Sequence, residues 1–500
     1  MTFFERNIAA IKIKRSDIAE ALLKTPQGNA YKGSVTAKTG EPVPLFASGQ
    51  ALHSLYNPER EAERTQAEPA GFILFCGLGC GVQIKAFLNK NPRAFCALTE
   101  SDYASFKQLL SLIDYTGLLS DNRLFLLPPC TESSFESELT QTYLPAVHGA
   151  FGCYILRPWK EHFKIQTATL SERINRALEK VRADFSVQVH FGKIWLRNIF
   201  FNLRLAGTIR PSYPQADTTR TALILGAGPS LEKGMIPILE KRRQYVLFCT
   251  DTAFPVLQAY GITPEFYIAL DPQHISYLHT TGTIPKAVTG IFDLSANTAG
   301  ARRFYENGNA FFFTAGRHPL IQTASAFSPF PQLNTGAGTV AVTAYHAAQA
   351  LGFRHIECSG MDFAYTGGKA YARGTYLSKL YTNGAERISS GEHSFIRLMF
   401  RTEVYGRQTE NGRTYGTPLL DSYRTAFEAE KNTAVRWQKN DFRTFPYKAF
   451  LTFFYRNIKD KDTGPHLSLL PSLAWCTAHR KVNFTAMELV SELISEYTGL

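Results

Sequence analysis

Residues 221–271 read TALILGAGPSLEKGMIPILEKRRQYVLFCTDTAFPVLQAYGITPEFYIALD, and the fold turns on how this stretch is read. Residues 222–225 are a short apolar run of strand length that stops at Gly226-Ala227-Gly228-Pro229-Ser230-Leu231. Two glycines one residue apart allow a tight turn with room above it for a bulky ligand. Pro229 suits the first turn of a following helix, and Ser230 can offer its hydroxyl to a phosphate or to a free backbone N–H. A phosphate docked there meets the positive end of the helix dipole. The pattern predicts a second strand over 245–249, ending at Asp251, and a third over 266–270, ending at Asp271. Three strands tipped by a glycine turn or a carboxylate describe the carboxyl edge of a parallel sheet, where open α/β sheets bind ligands. The competing reading is an ordinary α/β domain whose strand ends happen to be polar.

Outward from this stretch, 500 residues are too many for one core, so two to four domains are expected. A hydrophobic content of 44% with 19% charged residues belongs to a globular chain. The opening MTFFERNIAAIKIKRSD has no continuous apolar core, so no signal peptide is expected. No apolar run approaches the roughly 18 residues that span a bilayer, so no membrane span and a cytoplasmic location are expected. The 8 cysteines are scattered without a CxxC pair. They are expected to be buried free thiols, with no zinc or other metal site. The net charge of +12 is dispersed, with no dense Lys/Arg tract, so no nucleic-acid partner is expected. A local positive pocket for a nucleotide-linked substrate and a solvated surface account for the excess.

Four regions are predicted, as two Rossmann-like parallel-sheet domains in tandem with a helical C-terminal region. Residues 1–163 form the first, with a leader that has helical spacing over 3–23, strand-like alternation over 28–49 and a surface helix within 57–68. Inside it, GFILFCGLGCG (71–81) is a buried strand running into GxGxG, and Glu100 follows about 20 residues later, where such folds place a ribose-binding acid. That turn reads either as a second nucleotide or S-adenosylmethionine pocket or as a turn that binds nothing. Residues 164–215 form a helical connector. Residues 216–400 form the catalytic domain, with further strands over 287–292, 310–313 and 355–358. Asn334-Thr335-Gly336-Ala337-Gly338-Thr339 there opens a helix over 340–351, again suited to an anion. A glycine-rich basic loop, 366–375, carries Lys369 and Arg373, either of which can face a phosphate. Residues 401–500 are mainly helical, with helices over 421–440, 448–458 and 484–497. The Asp460-Lys461-Asp462 triplet in this region is read as coincidence rather than a metal motif.

Taken in order, GAGPSL, Asp251, Asp271 within PEFYIALD, NTGAGTVAVTAYHAAQALGF and SGMDFAYTGG resemble the domain shared by MptE-like 6-hydroxymethylpterin diphosphokinases and motility-associated, Maf-type flagellin glycosyltransferases. The same elements are similar to those of bacterial sialyltransferases. The resemblance covers about residues 216–385, and the flanking layout favours the Maf-type branch. It implies transfer of a nonulosonic, sialic-acid-like sugar from a CMP-activated donor to Ser/Thr of flagellin. By that resemblance Gly226, Gly228, Pro229 and Ser230 hold the nucleotide side, with Asp251 and Asp271 nearby. Thr335, Gly336, Gly338 and Thr339 line the opposite wall, and Asp362 stands at the last strand end. Sialyltransferases carry amides where Ala227, Asp251 and Asp271 stand, and many relatives have a histidine near the position of Tyr371.

For such a donor, catalysis consists of positioning, stabilising the departing CMP and deprotonating the acceptor hydroxyl. Asp362 is the candidate base, with His346 and His393 behind it. Tyr371, Tyr365, Arg373 and Lys369 are candidates to stabilise the leaving phosphate. A CMP-sugar is then the donor substrate and flagellin the acceptor; no cofactor is assigned, and a role for Mg²⁺ is left open. The alternative from another enzyme class is a Mg²⁺-dependent diphosphokinase acting with ATP on a hydroxymethylpterin-type alcohol, with Asp251 and Asp271 as carboxylate ligands. A third is a non-catalytic flagellar accessory protein.

Overall fold

The computed structural model describes residues 1–64, 71–333, 338–409, 412–431, 433, 435–459, 467–479 and 486–499. The chain divides into two compact units, Met1–His190 and Phe191–Leu500. The division falls within a single helix, Leu170–Ala206, where the sequence pattern predicts a connector over 164–215. Among the described residues no helix is long and apolar enough to cross a membrane.

In the first unit, a hairpin of β1 (Tyr31–Thr36) and β2 (Pro42–Phe46) accompanies a four-stranded sheet. The sheet comprises β3 (Phe72–Cys76), β4 (Phe95–Thr99), β5 (Leu124–Leu126) and β6 (Phe151–Ile155). Its order is β5-β4-β3-β6 and every pairing is parallel. The amphipathic stretch 3–23 folds as two helices, Phe3–Lys14 and Ser16–Lys24, because the chain leaves helical geometry at Arg15.

The second unit is built on β7 (Thr221–Leu225), β8 (Tyr245–Thr250), β9 (Phe266–Ala269), β10 (Thr289–Asp293), β11 (Phe311–Thr314) and β12 (Ile356–Ser359). Each lies within two residues of its expected position. The order is β11-β10-β9-β8-β7-β12, parallel throughout. Strands covered on both faces must be apolar at nearly every position. Accordingly β8 is buried from Val246 to Thr250. Ala222, Ile224, Val246, Phe248, Phe266, Ile268, Ile291 and Phe312 alternate onto one face. Ala344, Ala347 and Ala348 of the helix Val340–Ala350 pack against them, their small side chains letting helix and sheet approach closely. β12 is partly exposed at every residue, as suits an edge strand.

The described C-terminal part is mainly helical but also carries strands. β13 (Tyr365–Thr366) joins β14 (Tyr405–Thr409) and β15 (Gly412–Gly416) in a small antiparallel sheet. The helix expected over 421–440 runs instead over Pro418–Glu430. Thr417 caps it through its hydroxyl to the Leu420 N–H at 3.2 Å. The later helices are Tyr447–Lys459, Leu470–His479 and Ala486–Thr498. Cys153 and Cys358 are exposed, against the expectation that all thiols are buried, because both lie on edge strands.

Candidate functional site

Strand order in the second unit runs outward from β7 to β11 on one side, while β12 returns to the other side of β7. The reversal between β7 and β12 is the kind of point where doubly wound sheets open a crevice at their carboxyl ends. Two segments meet there, GAGPSL after β7 and SGMDF after β12. Gly226 N donates to Ser359 O at 2.9 Å and Gly228 N to Gly360 O at 2.8 Å. The approach excludes any side chain: a Cβ at Gly226 would lie 2.5 Å from Gly360 O. At Gly228 it would collide with the Asp362 carboxylate.

Asp362 occupies the mouth of the helix Leu231–Glu240. Its Oδ2 accepts from Ser230 Oγ at 2.6 Å, and both carboxylate oxygens lie 3.2 Å from Ser230 N. Pro229 stands just before the cap Ser230 rather than in the first helical turn. Beside Asp362, Phe363 is held at φ 45°, the one positive-φ non-glycine among the described residues. A bulky residue in that region costs about 1–2 kcal/mol. Arg424 offsets it by donating to the carbonyls of Asp362 and Phe363 at 3.3 and 3.2 Å.

Asp251 follows β8 and is 1% exposed. Its Oδ1 accepts from Thr252 N at 2.7 Å and Thr252 Oγ1 at 3.1 Å. Its Oδ2 is buried and has no hydrogen-bond partner among the described residues. A buried acceptor without a donor is costly, so this oxygen at a strand tip is a candidate to accept from a ligand hydroxyl or amine. Asp271, after β9, accepts from Gln273 N at 2.9 Å. Burial and then the neighbouring Asp251 charge push its carboxyl up from the usual range. Tyr371 and Tyr376 stand in the same electrostatic neighbourhood, their phenols raised first by burial and then by surrounding groups, Tyr376 to about 12. Behind this edge, Asn198 and Asn202 of the long helix hold the loops after β9 and β10. Their amides donate to the carbonyls of Pro272, Leu294, Ser295 and Ala296 at 2.8 to 3.1 Å. Sequence reasoning missed this pair, which sits inside an aromatic helix pattern.

Of the expected phosphate cations, Lys369 is turned elsewhere. Lys369 Nζ pairs with Glu232 at 2.7 Å, and the backbone N–H of Arg373 donates to the same carboxylate at 2.7 Å. The loop is further tied to the glycine turn by Ala372 N donating to Ala227 O at 2.9 Å. Thr339 caps its own helix, its hydroxyl 3.4 Å from Ala341 N. A Cβ at Gly338 would fall 2.9 Å from the Tyr423 ring, which places this glycine against a tyrosine from the helix Pro418–Glu430. Thr335, Gly336 and the Asp460–Asp462 triplet lie outside the described residues. His346 is fully buried with Nε2 3.1 Å from Glu430 O, and His393 Nδ1 accepts from Ser390 N at 3.3 Å as a helix cap. Both histidines are engaged in helix packing and capping.

The profile of the family described as "6-hydroxymethylpterin diphosphokinase MptE-like" matches residues 193–368. An uncharacterized protein of Treponema pallidum (strain Nichols) is 44% identical over 248 residues, 49% of this chain and 89% of that protein. The chain and this protein belong to one family, and residues 193–368 of the chain carry an MptE-like domain. A second uncharacterized protein of the same organism is 46% identical over 167 residues, 33% of this chain and 80% of its own length. The fold is shared with a solved structure described as a "MAf glycosyltransferase from Magnetospirillum magneticum AMB-1", with a TM-score of 0.54 and 15% identity. That likeness covers 99% of this chain and 90% of the other.

The first unit of the chain has the same strand reversal, between β3 and β6, and the GxGxG turn stands beside it. Here the chain fills its own crevice. A Cβ at Gly77 would lie 2.7 Å from Trp159 Cγ, and Trp159 is 0% exposed. Glu100, the expected ribose acid, instead accepts from Leu78 N at 2.5 Å and Trp159 Nε1 at 2.7 Å. Burial pushes the Glu100 carboxyl up to about 7. The native state therefore holds this proton above the ordinary glutamate range. The stability it contributes is present at pH 4.5 and is lost as the pH rises through 7, a swing of about 3 kcal/mol. Melting of the protein followed from pH 5 to 8 should show this decline, and Glu100→Gln should flatten it. An unchanged slope in the variant would assign the titration to another group.

Proposed function

We propose that this chain is a glycosyltransferase moving a nonulosonic, sialic-acid-like sugar from a CMP-activated donor to Ser/Thr hydroxyls of a protein acceptor, flagellin by family resemblance. The observation that carries the reading is the unpartnered, buried Oδ2 of Asp251 at the carboxyl edge, in the electrostatic neighbourhood of Asp271, Tyr371 and Tyr376. The carboxylates accept from donor hydroxyls or amines, and the phenols donate to the leaving phosphate. The name of the Magnetospirillum neighbour supports a sugar-transfer chemistry for this fold.

Ser230 N–H and Oγ, which now hold Asp362, are also suited to a phosphate. In this proposal donor phosphate replaces the carboxylate there, and the released Asp362 takes the acceptor proton. Asp362→Asn should then lower transfer by roughly 100-fold or more while CMP binding survives. Full activity in the variant removes Asp362 from the role.

The MptE-like match and the paired acids Asp251 and Asp271 favour one second reading, a Mg²⁺-dependent diphosphokinase acting on a pterin-type alcohol. Titrating CMP and ATP with and without Mg²⁺ separates the two. Metal-independent CMP binding fits the glycosyltransferase, and Mg²⁺-dependent ATP binding the kinase.

A further inference from the structure

The glycine-rich loop and the residue after it are fastened over the carboxyl edge of the second sheet at three places. Ala372 N donates to Ala227 O, in the turn after β7, at 2.9 Å. A Cβ on Gly374 would lie 3.6 Å from Val256 Cα, in the helix Phe254–Ala259 that follows Asp251. The rings of Tyr376 and His279 meet edge to face, 4.8 Å between centroids. His279 belongs to the segment His274–Thr280 after β9, which Ser276 Oγ ties to Asp271 O at 3.3 Å. That segment also packs against the turn Asp251–Ala253. Loop, β8 tip and the segment after β9 thus enclose one small region. Three of its polar side-chain atoms are buried without a hydrogen-bond partner among the described residues: Asp251 Oδ2, His279 Nδ1 and Thr375 Oγ1. Their residues are 1%, 3% and 0% exposed. Charge reaches across the same region: after burial, Asp251 and His279 both act on the Asp271 carboxyl, and Asp251 acts on the Tyr376 phenol. Each dry polar atom destabilises the empty protein, and a ligand that pairs with it removes the cost.

We infer that Asp251, His279 and Thr375 form the pocket for the ribose of a nucleotide and grip its neighbouring 2′- and 3′-hydroxyls. The assignment rests on the nucleotide reading of the preceding section and adds two residues, His279 and Thr375, to it. Each ribose hydroxyl both donates and accepts, which suits this mixed set. The Asp251 carboxylate accepts only, the Thr375 hydroxyl does either, and a histidine ring nitrogen does one or the other according to tautomer. A second anion is a poor occupant, because the Asp251 and Asp271 charges repel it. Position agrees with chemistry. β7 and β8 are neighbours with Leu225 opposite Cys249, so their tips lie about 5 Å apart. A phosphate at Ser230, past β7, leaves a sugar bonded to it over the tip of β8, where Asp251 stands. The ribose is the sugar that a CMP donor and ATP share, so the pocket serves either reading of the reaction.

The test removes the two hydroxyls from the ligand and their partners from the protein. CMP and 2′,3′-dideoxy-CMP are titrated calorimetrically against the wild type, Thr375→Val and His279→Phe, with circular dichroism to confirm folding. Valine keeps the shape of threonine without its hydroxyl, and phenylalanine keeps a ring against Tyr376 without ring nitrogens. The wild type is expected to bind CMP roughly 10- to 100-fold more tightly than the dideoxy form. Each variant should lose roughly 10-fold for CMP with its affinity for the dideoxy form unchanged. A wild type that binds the two ligands alike, or variants that lose both alike, overturns the pocket and leaves the nucleotide reading in place. Should the wild type prefer ATP, the same ratio is read with AMP and 2′,3′-dideoxy-AMP. A wild type that binds no nucleotide defeats the functional reading and this inference together, and that result is visible before any variant is made.

Discussion

Gly360→Ala is expected to abolish nucleotide binding and to lower the melting temperature of the protein by roughly 10 °C, on the order of 3 kcal/mol or more. Two independent penalties meet at this residue. Gly360 sits at φ 71°, a region that L side chains rarely adopt. A Cβ there would also collide with the carbonyl oxygen of Gly226 and lie 2.9 Å from Leu231 Cβ. Neither obstacle is the free end of a flexible side chain, so relief requires β7 and β12 to separate at their carboxyl ends. That separation breaks the bonds Gly226 N to Ser359 O and Gly228 N to Gly360 O. It also moves Asp362 away from Ser230. The comparison that keeps the result interpretable is Gly352→Ala, at φ 94° but with nothing within 4 Å of the added carbon. This variant bears the backbone penalty alone and should bind nucleotide normally. Normal nucleotide binding by Gly360→Ala would show that the close approach of the two turns is not what shapes the site.

Trp159→Ala should destabilise the protein by about 3–5 kcal/mol, the usual cost of emptying a fully buried tryptophan position. Here the loss has two parts. The indole packs on Gly77 and on Phe163, at 5.8 Å between ring centroids. Its N–H is also a donor to the buried Glu100 carboxylate. Trp159→Phe keeps most of the apolar contact and removes the N–H, so it should cost about 1–3 kcal/mol, the penalty for leaving a buried acceptor short of a donor. Chemical denaturation of the three proteins measures both steps. A loss below about 1 kcal/mol in the alanine variant would mean that the indole is not what fills the first glycine turn.

These two predictions concern the same sheet topology put to different uses. Both units carry a glycine turn at the reversal of strand order, and both turns have a carboxylate within reach. In the first, Glu100 is spent on Leu78 and Trp159 inside the protein. In the second, Asp251 keeps one oxygen without a partner among the described residues, and Asp362 is held by the donors at a helix mouth. The glycine pattern was equally clear in both. The difference lies in what the rest of the chain brings to each turn.

That contrast marks what the sequence by itself determined. Strand positions in the second unit, the glycine turns and the aspartates at the tips of β8 and β9 were all legible. They depend on short-range physics: apolar runs with no room for polar residues, and turns that exclude a Cβ. Partner choice across the chain was not legible. Ser230 and Asp362 are 132 positions apart, and Lys369 and Glu232 are 137 apart. No local period carries such pairings, and a lysine in a basic loop looks the same whether it faces a phosphate or a glutamate. The small sheet of β13, β14 and β15 was missed for the same reason, since its first strand has only two residues and pairs with one near residue 415. Only closure of the fold decided which carboxylates are spent within the protein and which glycine turn is filled by the chain's own tryptophan. Each of those outcomes is a contact between distant segments, and it exists only once the apolar core has brought them together.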